Sequence, residues 1–186
     1  MKKILYVLIF LIIAFTIGLK LLKTFVYPIK YFDIIKKEAV NNNIDPYLIL
    51  SIIKTESSFN ADATSNKNAK GLMQMVDSTA EEVNDKINSS NDIEESNSYI
   101  DIYDANTNIS LGCNYFASLV ERYDGNYYLA ICAYNAGLGN VDKWISEGIV
   151  SPKLDTYEDI NLPFKETENY LKRVITTYKI YKILYR

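Results

Sequence analysis

One glutamate, Glu56, stands where a proton donor would be useful. It closes the segment Asp45-Pro46-Tyr47-Leu48-Ile49-Leu50-Ser51-Ile52-Ile53-Lys54-Thr55-Glu56-Ser57. Leu48, Ile49, Ile52 and Ile53 recur at the spacing of a buried helical face. Glu56 follows Ile53 by three residues and Ile52 by four, so it carries a carboxyl along that face toward the core. Burial disfavours the charged form of a carboxyl, and the negative end of a helix acts in the same sense. A carboxyl kept protonated near neutral pH is a general acid. The other reading, a glutamate at a frayed helix end turned to solvent, stays open on these residues alone.

The elements that must position Glu56 are helical. Asp45 can cap the segment, and Pro46 suits the first helical position, where its missing N–H costs no hydrogen bond. A preceding helix is expected over Tyr31–Val40, with Phe32, Ile35 and Ala39 on one side and Asn41-Asn42-Asn43 ending it. A polar loop then runs past Ser65 to Ala69-Lys70-Gly71-Leu72-Met73-Gln74. Ser78-Thr79-Ala80-Glu81 has the form of a capping box that starts a short helix. The stretch from Asn84 to Ser98 is so rich in Asn, Ser, Asp and Glu that it reads as a solvated surface loop.

Asp104 caps a longer helix to about Tyr123, with Ile109, Gly112, Cys113, Phe116 and Val120 as its apolar stripe. Gly112 weakens a helix by ~1 kcal/mol relative to Ala, so close packing of another backbone is expected there. Asp124-Gly125-Asn126 makes a turn. Helices follow over Tyr127–Asn135, closed by Ala136-Gly137, and over Leu138–Glu147, which holds the only tryptophan, Trp144. Ser151–Pro163 reads as loop, and Phe164–Arg186 as a helix with Tyr170, Val174, Tyr178 and Tyr181 along one face. Strand signals are weak and no internal repeat is visible. The fold class is mainly α, compact, with little or no sheet.

Composition removes whole classes of chemistry. The chain of 186 residues has no histidine, which excludes Ser-His-Asp and Cys-His systems and every histidine metal site. With only Cys113 and Cys132, a four-cysteine zinc site cannot form, so no metal or cofactor is expected. The two cysteines read either as a disulfide of an exported protein or as two buried thiols, and sequence leaves both open. Twenty basic against 23 acidic residues, a net charge of −3, argue against a nucleic-acid binder.

Lys2-Lys3 precedes an apolar run from Ile4 to Val26 that is long enough to cross a bilayer, provided Lys20 and Lys23 reach the headgroups. A cleaved signal peptide is the competing reading, but no Ala-x-Ala-like site follows. A lipoprotein anchor fails because the first cysteine is Cys113. We therefore divide the chain into an anchor over 1–26 and a domain over 27–186, with Tyr27-Pro28 as a short joint. Lys20, Lys23 and Lys30 compete with Lys2 and Lys3, so charge alone does not fix the orientation.

At Glu56-Ser57-x-Phe59, with Ser65 nine residues after the glutamate and then Gly71-Leu72-Met73-Gln74, the chain resembles the soluble-lytic-transglycosylase type of lytic transglycosylase, relatives of goose-type lysozyme. Asn108-Ile109 with Gly112, Ala133-Tyr134-Asn135-Ala136-Gly137, and Glu166-Thr167 with Tyr170 extend the match in the same order, from about Tyr31 to Arg186. The resemblance implies a lysozyme-like domain that cuts the β-1,4 bond between N-acetylmuramic acid and N-acetylglucosamine in peptidoglycan. It implies that the sugar's own 6-hydroxyl attacks, leaving a 1,6-anhydro end, with Glu56 as acid and then base.

By the same resemblance, Ser65 and Gln74 donate to the sugar, Met73 offers an apolar floor, and Tyr134 and Asn135 face the cleft. Tyr170 holds Glu56, and Glu166 is a buried structural acid. Each has a plainer alternative: a loop cap for Ser65, core for Met73 and Tyr170, a helix terminus for Asn135. No second carboxylate stands out, although Asp62 and Asp77 are near in sequence. The resemblance also implies an extracytoplasmic domain acting on glycan strands, expected to work as a monomer. The rivals are a goose-type lysozyme-like hydrolase and an inactive glycan-binding scaffold.

Overall fold

A computed structural model describes residues 2–90, 100–158 and 160–186. The domain is built on three helices: α3 (Pro46–Ser57), α6 (Tyr127–Ala136) and α8 (Lys165–Tyr185), with α8 packed against both others. Around them lie α2 (Phe32–Asn41), α4 (Asp77–Ser90), α5 (Ala105–Arg122) and α7 (Leu138–Ser146). No sheet occurs among the described residues; there are only isolated bridges pairing Lys70 with Thr64 and with Met75.

The start of α3 follows from its sequence. Asp45 accepts a hydrogen bond from the Tyr47 N–H at 2.9 Å, and Pro46 occupies the first turn. Every residue from Leu48 to Ile53 is buried, so this helix is wrapped by its neighbours rather than lying on a surface. It ends at Ser58, whose φ of 52° is left-handed. Asp104 likewise caps α5 by accepting from the Thr107 N–H at 2.9 Å, and Asn126 caps α6.

Four expectations are corrected. Helix α4 begins at Asp77, because the Ala80 N–H already bonds the Val76 carbonyl at 2.9 Å, so Ser78 lies inside the helix rather than capping it. The same helix continues to Ser90, so residues 84–90 are helix and not loop; residues 91–98 lie outside the described set. In the α5 stripe, Leu119 is buried where Val120 was expected. At Gly112 the close neighbour is a side chain and not a backbone: a Cβ there would overlap the thioether sulphur of Met73. Cys113 and Cys132 are free thiols, both buried, and burial pushes the Cys132 thiol up to about 12.

The N-terminal helix α1 (Lys2–Leu21) runs into a π-helical turn, Leu22–Val26. Within these 25 residues the most apolar 18-residue window has a mean hydropathy of 2.6 and none of it is buried, so the segment is long and apolar enough to cross a membrane. Its end is held by the far end of α8. The Tyr185 hydroxyl shares its one hydrogen between the Tyr27 carbonyl at 2.7 Å and the Lys23 carbonyl at 3.1 Å, and the Tyr181 hydroxyl donates to the Pro28 carbonyl at 2.8 Å. Lys23, expected to reach for headgroups, lies over the Tyr185 ring at 4.7 Å. Lys54 of α3 lies over the Tyr27 ring at 5.1 Å.

Candidate active site

Glu56 is half-buried in the last turn of α3. The Tyr170 hydroxyl of α8 donates to its Oε1 at 2.6 Å. Burial raises the Glu56 carboxyl from an ordinary 4.5 to about 7. The Tyr170 hydrogen bond and the Arg173 charge act against that rise, and the Glu166 charge adds to it. Desolvation therefore wins over two interactions that favour the anion. Tyr170 is itself 2% exposed, and burial together with the Glu56 charge keeps its hydroxyl protonated far above the usual range. It is both a core residue and a clamp on the acid.

The loop from Lys70 to Gln74 is braced against this helix end from three sides. The Ser57 hydroxyl donates to the Leu72 carbonyl at 2.8 Å, and the Tyr134 hydroxyl of α6 donates to the Met73 carbonyl at 2.7 Å. From α5, fully buried Asn108 accepts from the Met73 N–H at 2.7 Å and donates to the Lys70 and Ile102 carbonyls at 3.0 and 2.8 Å. Gly71 is required under that bracket. Its φ is +76°, and a Cβ would lie 2.8 Å from the Ile102 carbonyl oxygen and collide with the Asn108 amide.

Each remaining expected residue has a defined place. Asn135 accepts from the Thr167 hydroxyl at 2.8 Å, which fixes its Oδ1 and leaves its NH2 without a partner among the described residues. Gln74, expected as a donor, has its NH2 on the Ala63 and Gly71 carbonyls at 3.2 and 2.9 Å; its carbonyl oxygen is the atom left to interact. Ser65 closes its own loop, its Oγ accepting from the Lys67 and Ala69 N–H groups at 3.2 and 3.1 Å. Met73 is fully buried against Gly112, so its side chain is core rather than an apolar floor.

Glu166 is exposed, not buried, and the buried acid nearby is Glu168. Glu168 accepts from Lys165 and Lys172 at 2.6 and 2.8 Å, and these two ammonium groups hold its carboxyl well below the usual range. Asp77 pairs with Lys70, Asp62 is exposed, and neither is among the groups that shift Glu56. Among the described residues no cluster of His, Cys, Asp or Glu could hold a metal. Two neighbours of the site lacked an assigned role in the sequence: Asn108, whose signal was its place in the Asn108-Ile109 motif, and Arg173, which had none.

A carboxyl raised to about 7, bonded by a buried tyrosine beside a loop locked by a buried asparagine, is a group able to give up a proton near neutral pH. The chain belongs to the family of the Transglycosylase SLT domain, which matches residues 33–153. It is 32% identical over 170 residues to membrane-bound lytic murein transglycosylase C of Yersinia pestis, a match covering 82% of this chain and 47% of that one.

Among solved structures, it is similar to lytic transglycosylase Slt of Pseudomonas aeruginosa, an inactive mutant with a glutamate replaced by glutamine. That match has 30% identity and a TM-score of 0.69, and covers 84% of this chain and 24% of that one. It is also similar to the 70 kDa soluble lytic transglycosylase of Escherichia coli, with 28% identity, a TM-score of 0.70, and coverage of 84% and 24%. The chain thus spans from about a quarter to about a half of the length of these relatives.

Proposed function

We propose that this protein is a membrane-anchored peptidoglycan lytic transglycosylase that cleaves the N-acetylmuramic acid-β-1,4-N-acetylglucosamine bond. The observation that carries this reading is the state of Glu56: half-buried, raised to about 7, with Oε1 taken by Tyr170. With Oε1 occupied, the proton resides on Oε2, which is free to give it to the bridging oxygen. The C1–O bond breaks as that oxygen takes the proton. The muramic acid 6-hydroxyl then attacks C1 and returns its own proton to Glu56, which ends as it began. In this reading the Asn135 NH2 and the Gln74 carbonyl oxygen bond the N-acetyl and hydroxyl groups of the strand, while Ser65 and Tyr134 hold the loops that carry the site.

Family membership supports the reaction class, and a relative inactivated by a Glu-to-Gln change fits a single essential carboxyl. The exposed apolar helix and a membrane-bound relative support an anchor over residues 4–26; residues 27–186 are placed outside the cytoplasm in this reading because its substrate lies there, and are taken to act as a monomer. Hydrolysis is the second reading, favoured by Glu166, whose charge reaches Glu56. Mass spectrometry of a wall digest decides: anhydro ends, lighter than reducing ends by one water, are expected. Reducing muramic ends alone would establish hydrolysis.

The first step needs Glu56 protonated, so kcat/KM should fall as pH rises through about 7. In Tyr170→Phe the anion loses a hydrogen bond, so the carboxyl becomes a weaker acid still. That descending limb should then move up by roughly one pH unit. A pH–rate profile of both forms checks the sign.

A further inference from the structure

Where the domain meets the apolar segment, its charge is the reverse of the whole chain's. Residues 20–32 and 169–186 hold eight of the 20 basic residues and none of the 23 acidic ones. Folding joins these two runs: the Tyr181 and Tyr185 hydroxyls hold the carbonyls of Lys23, Tyr27 and Pro28, and the Tyr47 hydroxyl donates to the Tyr185 carbonyl at 2.8 Å. These bonds also set a depth. The uncharged stretch from Ile4 to Leu19 rises roughly 24 Å as a helix, short of the ~30 Å hydrocarbon core of a bilayer. With that stretch in the core, Lys20 stands at its edge and Lys23 to Tyr27 stand among the headgroups. The last turn of α8, bonded to them, stands there too.

What these elements present to that layer is basic and apolar. Lys20, Lys30 and Arg186 are exposed and have no carboxylate partner among the described residues. Asp45, the acid that the end of α8 does touch, is already taken by the Tyr178 hydroxyl at 2.8 Å and by Lys182 at 3.4 Å. Ile183 and Phe25 are 81% and 75% exposed. Tyr27, Tyr181 and Tyr185 surround the joint, and tyrosine is a residue that settles at membrane–water boundaries.

We propose that this end of the molecule is a seat on anionic phospholipid. Lys20, Lys30 and Arg186 bond the phosphates of the leaflet in which the apolar segment ends, and Ile183 and Phe25 enter the boundary between headgroups and chains. This rests on the reading of residues 4–26 as a span, and it adds a contact that a span alone does not make. Two features select a lipid surface as the partner. The cations stand without acids in a chain that is acidic elsewhere, and the bonded joint holds them at the level of the headgroups. Each basic residue near an anionic membrane surface contributes about fivefold to binding.

The test places the full chain in nanodiscs of phosphatidylcholine with or without phosphatidylglycerol. A spin label goes on Ile183→Cys, since both native thiols are buried, and its accessibility to oxygen and to a water-soluble nickel chelate reads its depth. In discs with phosphatidylglycerol the label should be shielded from nickel, and less so in neutral discs. Lys30→Gln combined with Arg186→Gln should reopen it to nickel and cut the preference for phosphatidylglycerol among the boundary lipids by at least about fivefold. A label open to nickel in both discs would overturn the seat, as would shielding and lipid preference that the double variant leaves unchanged. A second label, on Phe10→Cys, reports the span separately. If Phe10 lies in the oxygen-rich core while Ile183 lies in water, only the seat falls. If Phe10 lies in water while Ile183 stays shielded in an Arg186-dependent way, the seat stands as a surface contact and the span falls.

Discussion

Glu56→Gln should abolish glycan cleavage, lowering the rate on the order of a thousandfold, while the protein remains folded. A positioned general acid contributes ~10²–10⁴ in rate, and in the proposed reaction one residue serves in both halves. The substitution is nearly isosteric, and its amide oxygen can still accept from Tyr170 at the position of Oε1. What is lost is the transferable proton. The stability of the same variant makes a second readout. The folded carboxyl titrates at about 7 against an ordinary 4.5, so between these values the folded state holds more protons than the unfolded one.

Stability of the native chain therefore falls as pH rises from 4.5 through 7, by roughly 3 kcal/mol at most. The glutamine variant has no charge to bury and should lose this slope. Thermal melts at acidic and at mildly alkaline pH read it directly: the variant gains on the native chain as pH rises. A variant that keeps full cleavage would remove Glu56 from the chemistry and favour a scaffold.

Asn108→Ala should be the most damaging change away from the acid, costing roughly 4 kcal/mol of stability. Two buried backbone groups, the Met73 N–H and the Ile102 carbonyl, would lose this partner, while the Lys70 carbonyl keeps the bond from the Met75 N–H at 2.9 Å. Each such group costs ~1–3 kcal/mol, with part of the loss recovered where water or a shifted loop reaches it. Activity should fall further than stability alone explains. The bracket fixes the loop that carries Gln74 and supports the carbonyl that Tyr134 grips. Denaturant titration and turnover on wall glycan, measured on the same preparation below its melting point, separate the two effects. Asn108→Asp, which keeps the acceptor but buries a carboxyl oxygen against two carbonyl oxygens, should be at least as destabilising as Asn108→Ala at neutral pH and recover as pH falls.

Much of this arrangement is legible in the chain because local chemistry and tertiary demand agree. Asp45 and Pro46 mark the start of α3, and the apolar spacing after them says which way Glu56 points. The residues misread are those where helix phase, not residue type, decides. Thr167, Glu168, Tyr170, Leu171, Val174 and Ile175 are all buried, so the buried face of α8 is broad and includes Glu168. Glu166 lies seven residues before Arg173, nearly the same direction on a helix of 3.6 residues per turn. Both therefore stand exposed on the edge beside Tyr170.

Sequence can say that an acid precedes a threonine; it cannot say which of two acids the neighbouring helices cover. Gln74 was misread for a similar reason. Its left-handed φ of 50° folds the amide back onto the Ala63 and Gly71 carbonyls, a turn that residue type does not announce.

The grip of Tyr181 and Tyr185 on the end of the apolar segment has a mechanical consequence. With residues 4–26 in a bilayer, as proposed, the domain is not a ball on a string. Two phenols and two lysine–aromatic contacts bracket the joint, so swivelling it would break several interactions at once. Its stand-off height and heading are then set by the protein itself, and the shell of wall within range of the blade is thin and membrane-proximal.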